Sequence, residues 1–309
     1  MPHAQSRTPK PEARYGAIEG GGSKFLCAIS DAQGQVLAQQ RIPTRDPAST
    51  LAAVAAFFEP YRPTLTALGL ACFGPLQLQN VGGRAEGRLL RTPKPGWSGT
   101  PLRATLEQAL HLPVFTDTDV NGAALGEQRW GALRGTSTGA YITVGTGVGV
   151  GVLLGGRPLH GALHPELGHL RSVDASFAGQ CPFHGSCIEG LVSAPAIEAR
   201  TGYSAHTVPA DHEVWPRVAD TLAQLLHAVV LAYAPERIVL SGGVLAQEGL
   251  RVAVATRLAT SLGGYMPLAD LDELRIHDYV VAPELADQAG IAGAFALAGL
   301  HARTAPRPC

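Results

Sequence analysis

Long apolar runs are missing from this sequence. No stretch approaches 18 uninterrupted apolar residues, so no membrane-spanning helix is expected. An excess of either charge is missing too: the formal net charge is -1, which gives no general pull toward nucleic acid or an anionic membrane. Residues 1–13 are polar and Pro-containing and lack the apolar centre of a secretory signal. They are expected to form a disordered tail, matched by a second tail over 301–309. Cysteine is scarce and odd in number. Of five, Cys181 and Cys187 share one short cluster, Cys27 and Cys72 lie in apolar strand-like runs, and Cys309 ends a Pro-rich stretch. Such a pattern is no extracellular disulfide framework and favours a reducing, cytoplasmic setting. What is present, 309 residues with 46% apolar and 16% charged, suits a globular chain of about two domains or one bilobal unit.

The densest chemistry runs from His164 to Glu189: His-Pro-Glu-Leu-Gly-His, then Cys-Pro-Phe-His-Gly-Ser-Cys-Ile-Glu. A polar surface loop is one reading. The other is a zinc knuckle of His169, Cys181, His184 and Cys187, because Cys-x2-His-x2-Cys with a fourth donor upstream fits a closed four-coordinate site. Glu166 and Glu189 are then free for other chemistry.

Two glycine-rich turns carry the second signal. Arg14 to Asp31 reads strand, turn, strand, with Gly20, Gly21, Gly22, Ser23 and Lys24 at the turn. A strand resumes at Phe25, so this is a hairpin and not a P-loop. A tight turn accounts for one or two of these glycines, whereas phosphate binding accounts for all five residues. The same unit recurs about 125 residues later, where Ala140–Val144 breaks into Gly145, Thr146, Gly147, Val148 and Gly149 before the next strand. The recurrence implies an internal repeat of strand–turn–strand cores.

Between and after these turns the sequence alternates helices and buried strands. Gly34 marks a turn before a strand over 35–41, and residues 48–60 have helical spacing. Thr66–Phe73 is a buried strand that ends at Gly74-Pro75, which is either a substrate loop or an ordinary turn. Residues 76–100 are irregular, with one Trp97, and a loop of that length is usually functional. A helix over 101–110 leads to a strand over 113–119 and a helix from Asn121. Asp119 at that junction is either a helix cap or a general base. Helices are further expected over 193–201, 214–233, 249–262 and 289–300, the last with thin Ala and Gly side chains that permit close packing. Strands are expected over 237–240, running into Ser241-Gly242-Gly243 where a nucleotide commonly sits, and over 275–282.

In order and spacing these motifs resemble the ROK family of sugar kinases, and within it the bacterial fructokinase branch, from Gly16 to Leu300. The likeness is carried by Glu-Gly-Gly-Gly-Ser-Lys (19–24), Phe-Gly-Pro (73–75), Thr-Pro-Lys-Pro-Gly-Trp (92–97) and Thr-Asp-Val-Asn (118–121). Gly-Thr-Gly-Val-Gly (145–149), the two His/Cys motifs (164–169 and 181–190) and Ser-Gly-Gly-Val (241–244) complete it. The resemblance implies an α/β, actin/hexokinase-like (ribonuclease H-like) fold of two related lobes, with ATP in the cleft between them. Residues 14–119 with 287–300 would form the smaller lobe, and 120–286 the larger.

It also implies roles. Gly21, Gly22, Ser23, Lys24, Gly145, Thr146, Gly147 and Gly149 would hold phosphates, with Gly242 and Gly243 at the adenosine. Asp119 would take the proton of the attacking hydroxyl. Gly74, Asp119, Glu166, His169 and Glu189 would bind the sugar, His169 doubling as a zinc ligand. Mg2+ would come with ATP, since no all-protein oxygen cage is visible for it. D-fructose is the expected substrate, with mannose or glucose as the alternative, in a cytoplasmic homodimer. Thr118 where glucose-phosphorylating relatives have Asn, and Cys-Pro-Phe-His where theirs is Cys-rich, favour fructose; Ser23 for the commoner Thr keeps the hydroxyl. A DNA-binding repressor is disfavoured, because only thirteen residues precede the first strand. A catalytically dead sensor is disfavoured by Asp119 and both glycine loops.

Overall fold

Two five-stranded sheets share one plan. The computed structural model describes residues 14–31, 35–78, 87–174, 176–266 and 276–302. Strands β1 (Arg14–Gly20), β2 (Lys24–Ser30), β3 (Val36–Pro43) and β4 (Leu65–Cys72) are followed by a small ribbon, β5 (Leu76–Gln77) with β6 (Arg88–Leu89), and by β7 (Val114–Thr118). The first sheet has the order β3-β2-β1-β4-β7, antiparallel from β3 to β1 and parallel from β1 onward. Strands β8 (Gly139–Val144), β9 (Val148–Leu154), β10 (Arg157–Pro158), β11 (Arg237–Ser241) and β12 (Val280–Val281) repeat it as β10-β9-β8-β11-β12, with the same switch from antiparallel to parallel. The expected hairpin repeat is therefore a repeat of whole sheets. This is the actin/hexokinase-like α/β fold.

Alternation along the strands decides which helices pack where. On β4, Leu68, Leu70 and Cys72 face a core shared with α1 (Pro47–Phe58) and α2 (Leu102–Leu110). Ala71, between two of them in sequence, faces the opposite core with α3 (Asp119–Trp130). In the second sheet Ile142, Val144, Ile238 and Leu240 face the side of three later helices. These are α4 (Ile188–Val192), α6 (Val214–Tyr233) and α7 (Leu250–Leu262); α5 (Ala194–Thr201) joins α4 to that layer. Two further helices close the chain, the single turn α8 (Ile276–Tyr279) and α9 (Ala289–Ala302). Helices α3 and α9 lie between the two sheets. Their thin faces are used there: a Cβ on Gly293 would fall 1.8 Å from the Gly122 carbonyl oxygen, and one on Gly69 of β4 would fall 1.8 Å from that of Ala294. Ala and Gly let these backbones touch.

Several boundaries differ from expectation. Residues 275–282 were expected to be a strand, yet Ile276–Tyr279 is a helical turn, with only Val280–Val281 extended. Ile276 and Tyr279 are buried at i, i+3, a spacing that one helical turn satisfies and a strand does not. Asp46 caps α1 by accepting from the Ser49 amide at 2.9 Å, with Pro47 next in line, so that helix starts one residue early. The loop over 76–100 holds the β5–β6 ribbon and a fully buried Trp97. The expected C-terminal tail over 301–309 begins too early, since α9 runs on to Ala302; its remainder, the expected tail over 1–13, the turn at Gly34 and Arg275 lie outside the described residues.

Candidate active site

Both glycine hairpins end at the same edge of their sheets. In the first, the Gly21 amide donates to the Lys24 carbonyl (2.9 Å), and Thr44 fastens the turn from β3's side through its hydroxyl to the Gly21 oxygen (2.8 Å) and its amide to the Ser23 oxygen (3.0 Å). A Cβ at Gly22 would meet nothing within 4 Å, so this turn faces open space. In the second, the Gly145 amide donates to the Gly147 oxygen (2.9 Å) and the Ala194 amide to the Gly145 oxygen (2.7 Å). Gly242, at φ 102°, packs so closely under this turn that a Cβ would lie 2.3 Å from the Val144 oxygen. No other residue type reaches that φ without strain. The second loop and the Gly242-Gly243 turn are thus neighbours, whereas no hydrogen bond joins the two hairpins among the described residues.

Carboxylates occupy the interval. Asp119 is the first residue of α3, and the cap is Thr118, whose hydroxyl accepts from the Asn121 amide at 3.2 Å. The capping role open to Asp119 in the sequence is therefore filled by its neighbour. Asp119 instead accepts from the Val120 amide at 2.8 Å, and burial pushes its carboxyl up from 3.8 to about 6. Glu166 is pushed up to about 7, first by burial and then by the charges of Asp119 and Glu189. Glu189 reaches the second hairpin, accepting from the Val148 amide at 3.0 Å, in space that a side chain at position 147 would fill (2.6 Å from Oε2). Two of the predicted carboxylates, Asp119 and Glu189, thus lie within electrostatic reach of the third, Glu166. A fourth, Glu19 at the end of β1, was not predicted. Burial raises its pKa against the lowering field of Lys24, and the charge of Asp119 raises it further. Its only sequence signal was its place in front of the first glycine turn.

Histidines beneath these acids were also missed. His164 Nε2 accepts from the Leu76 amide at 2.9 Å, which places the proton on Nδ1, 3.4 Å from Glu166 Oε1. Burial lowers the pKa of His164, consistent with a neutral ring. Gly74 lies against this pair, its Cβ position 3.4 Å from His164 and 3.5 Å from Glu166. His164 therefore ties the Gly74-Pro75-Leu76 turn to Glu166. Buried Asp117 forms a similar unit, accepting from the Thr118 amide (2.8 Å) and Asn121 Nδ2 (2.7 Å) and pairing with His160 Nε2 (3.0 Å). That partner raises the pKa of His160. His164 opens the predicted motif but was given no role there, His160 lies four residues before it, and nothing local marks their partners.

The four proposed metal ligands converge. His169, Cys181, His184 and Cys187 each present a donor atom, all within 4.8 Å of one another. Sulfur-to-Nδ1 separations are 3.6 Å for Cys181–His169, Cys181–His184 and Cys187–His169. Tetrahedral Zn2+ with bonds of about 2.3 Å to sulfur and about 2.0–2.1 Å to nitrogen sets S···N edges near ~3.6 Å, so the donor set fits that ion. His169 Nδ1 also lies 3.9 Å from Glu189 Oε1, so the knuckle borders the carboxylate group.

The family model described as the ROK family matches residues 15–300. A fructokinase from Zymomonas mobilis is 41% identical over 294 residues, which cover 92% of this chain and 96% of that protein. A fructokinase from Pediococcus pentosaceus is 38% identical over 286 residues, covering 92% and 96%. Among solved structures, a ROK hexokinase from Thermus thermophilus superimposes with a TM-score of 0.78 at 27% identity, over 94% of this chain and 100% of the other.

Proposed function

The chain belongs to the ROK family, and on that footing we propose that it transfers the γ-phosphoryl group of ATP to D-fructose, yielding fructose 6-phosphate and ADP. It is an ATP-dependent hexose kinase. The observation that carries the reading is the convergence of Asp119, Glu166 and Glu189 beside two open glycine hairpins. Carboxylates suit a sugar, because each can accept from two hydroxyls, and backbone amides suit a polyphosphate.

In this reading the Gly21–Lys24 and Gly145–Gly149 turns hold the phosphates and Gly242-Gly243 borders the adenosine. Glu166, His169, Glu189 and the Gly74 turn orient the sugar. Asp119 accepts the hydroxyl proton as oxygen attacks phosphorus, and its pKa of about 6 suits a base that works near neutrality. Phosphoryl transfer asks the protein mainly for positioning and charge neutralisation. Mg2+ entering with ATP would supply part of that neutralisation. Zn2+ held by His169, Cys181, His184 and Cys187 would stiffen the knuckle from which Glu166 and Glu189 reach in. Residues 14–119 with 287–300 are read as one lobe and 120–286 as the other. None of Cys27, Cys72, Cys181 and Cys187 is in a disulfide, which suits a cytoplasmic setting. Among the described residues no helix is long and apolar enough to cross a membrane. Homodimerisation is proposed on the family likeness alone, and sedimentation analysis tests it.

The deciding experiment is coupled ADP-release kinetics with fructose, mannose and glucose. Fructose is expected to give the highest kcat/KM. A higher value for glucose or mannose would reassign the substrate, and no turnover with any hexose would remove the kinase reading.

A further inference from the structure

One motif of the sequence has no role so far: Thr92-Pro-Lys-Pro-Gly-Trp97, on the loop between β6 and α2. Its Lys94 reaches across to the first glycine hairpin, where Nζ donates to the Gly22 carbonyl oxygen. That carbonyl belongs to the turn whose outer side is open. Lys94 makes no ion pair with a carboxylate among the described residues, although Glu19, Asp119, Glu166 and Glu189 all belong to the same site.

The reach of Lys94 is built in rather than incidental. Trp97, three residues on, is fully buried, stacks on Phe25 at 5.6 Å and forms an edge-type pair with Phe73 at 5.7 Å. Phe25 directly follows the first hairpin turn and Phe73 directly precedes Gly74, so one indole anchors the Lys94 loop to both elements. Its Nε1 donates to the Arg45 carbonyl at 2.8 Å, and the Trp97 amide donates to that of Lys94 at 3.3 Å. Within the loop, the Thr92 amide donates to Ser98 Oγ at 3.1 Å. A cation on an anchored loop, aimed at a phosphate turn, is pre-organised for charge that arrives there.

Charge balance asks for such a group. A polyphosphate entering beside four carboxylates meets repulsion, the field of Lys24 is partly taken up by Glu19, and the phosphoryl group carries its charge on three oxygens during transfer. We infer that Lys94 binds the γ-phosphoryl group of ATP and stays with it through transfer, leaving the Gly22 carbonyl for phosphate oxygens when the nucleotide is bound. This inference rests on the kinase reading above. The sugar oxygen forms the new bond to phosphorus, the bond from phosphorus to the β–γ bridging oxygen breaks, and ADP departs. The hydroxyl proton passes to Asp119, while Lys94 keeps its own protons and supplies only charge and hydrogen bonds.

The test compares full-length wild type with Lys94→Met and Lys94→Arg. Calorimetric titration with Mg-ADP and with the non-hydrolysable ATP analogue AMPPNP reads the γ-phosphate directly, without any sugar. Lys94→Met is expected to weaken AMPPNP about tenfold or more, the scale of a hydrogen bond to a charged group, while ADP changes less than twofold. Its kcat should fall about 100-fold or more, and Lys94→Arg should recover part of both losses. Equal weakening of ADP and AMPPNP would mean that Lys94 merely latches the loop, and unchanged AMPPNP affinity would overturn the assignment as well. Should fructose fail as a substrate while the AMPPNP-over-ADP effect persists, the sugar reading falls and Lys94 stands.

Discussion

Replacing Asp119 by Asn should separate activity from stability in a way that only a reactive carboxylate allows. The two side chains have the same shape, and Asn can still accept from the Val120 amide that now bonds Asp119 at 2.8 Å. What changes is the charge. In the folded protein Asp119 has its pKa pushed from 3.8 to about 6 by burial, a difference of about 2.2 units or roughly 3 kcal/mol at 1.36 kcal/mol per unit. The residue keeps part of its surface exposed, and solvent screening reduces the recoverable amount to about 1–3 kcal/mol. The sign follows from linkage. Below about pH 3.8 the group is protonated in both states and contributes nothing. Between about 4 and 6 the folded state holds the proton more tightly, so stability falls as pH rises. Above about pH 6 the folded protein bears the full penalty of an ionised, desolvated carboxylate. Asp119→Asn removes that penalty, so urea unfolding should show the variant more stable than wild type at pH 8, with the gap closing toward pH 4. Turnover should meanwhile drop at least ~100-fold. A variant that is less stable at pH 8, or whose offset does not change with pH, would show that Asp119 is a structural residue after all. Near-normal turnover would remove it from the chemistry.

Other perturbations probe the surroundings of that carboxylate. His164→Ala leaves the Leu76 amide unpaired and Glu166 without its Nδ1 partner; KM for the sugar should rise at least ~10-fold, the scale of an unsatisfied buried group, with a smaller change in kcat, and steady-state kinetics separates the two. Turnover of wild type should increase with pH through about 6 to 7, as Asp119 and then Glu166 lose their protons; a profile flat over that range would exclude both as titrating participants. Chelation, or Cys181→Ser, should release one equivalent of Zn2+ measured by mass spectrometry and weaken sugar binding together, whereas unchanged sugar affinity in metal-free protein would detach the knuckle from the site. Gly293→Ala forces a methyl to within 1.8 Å of the Gly122 oxygen and should lower stability by about 1–3 kcal/mol in urea unfolding.

Much of this was legible because the relevant signals are local. Strand–glycine–strand units, Cys-x2-His-x2-Cys spacing and an acid at a strand–helix junction are each contiguous in sequence, so chain geometry alone constrains them. The misread elements were those for which local preference and packing disagree. Val280 and Val281 extend, but the turn before them is helical because Ile276 and Tyr279 must both reach the core. Position alone left Asp119 between cap and base. Only the Thr118 hydroxyl, turned onto the Asn121 amide, decided that the cap was taken.

By itself the sequence determined the duplicated strand units, a candidate donor set for a metal and three of the four acids, Asp119, Glu166 and Glu189, since these depend on residue type and short spacing. Tertiary structure alone decided that Asp119 and Glu189 stand close enough to Glu166 for their charges to raise its proton affinity. It alone set His164 between the Gly74 turn and Glu166, and brought Lys94 to the carbonyl of Gly22, 72 residues away along the chain. Separations of that length are closed by burial of the two sheets around α3 and α9, a non-directional force summed over the whole core, and no short window of sequence contains it.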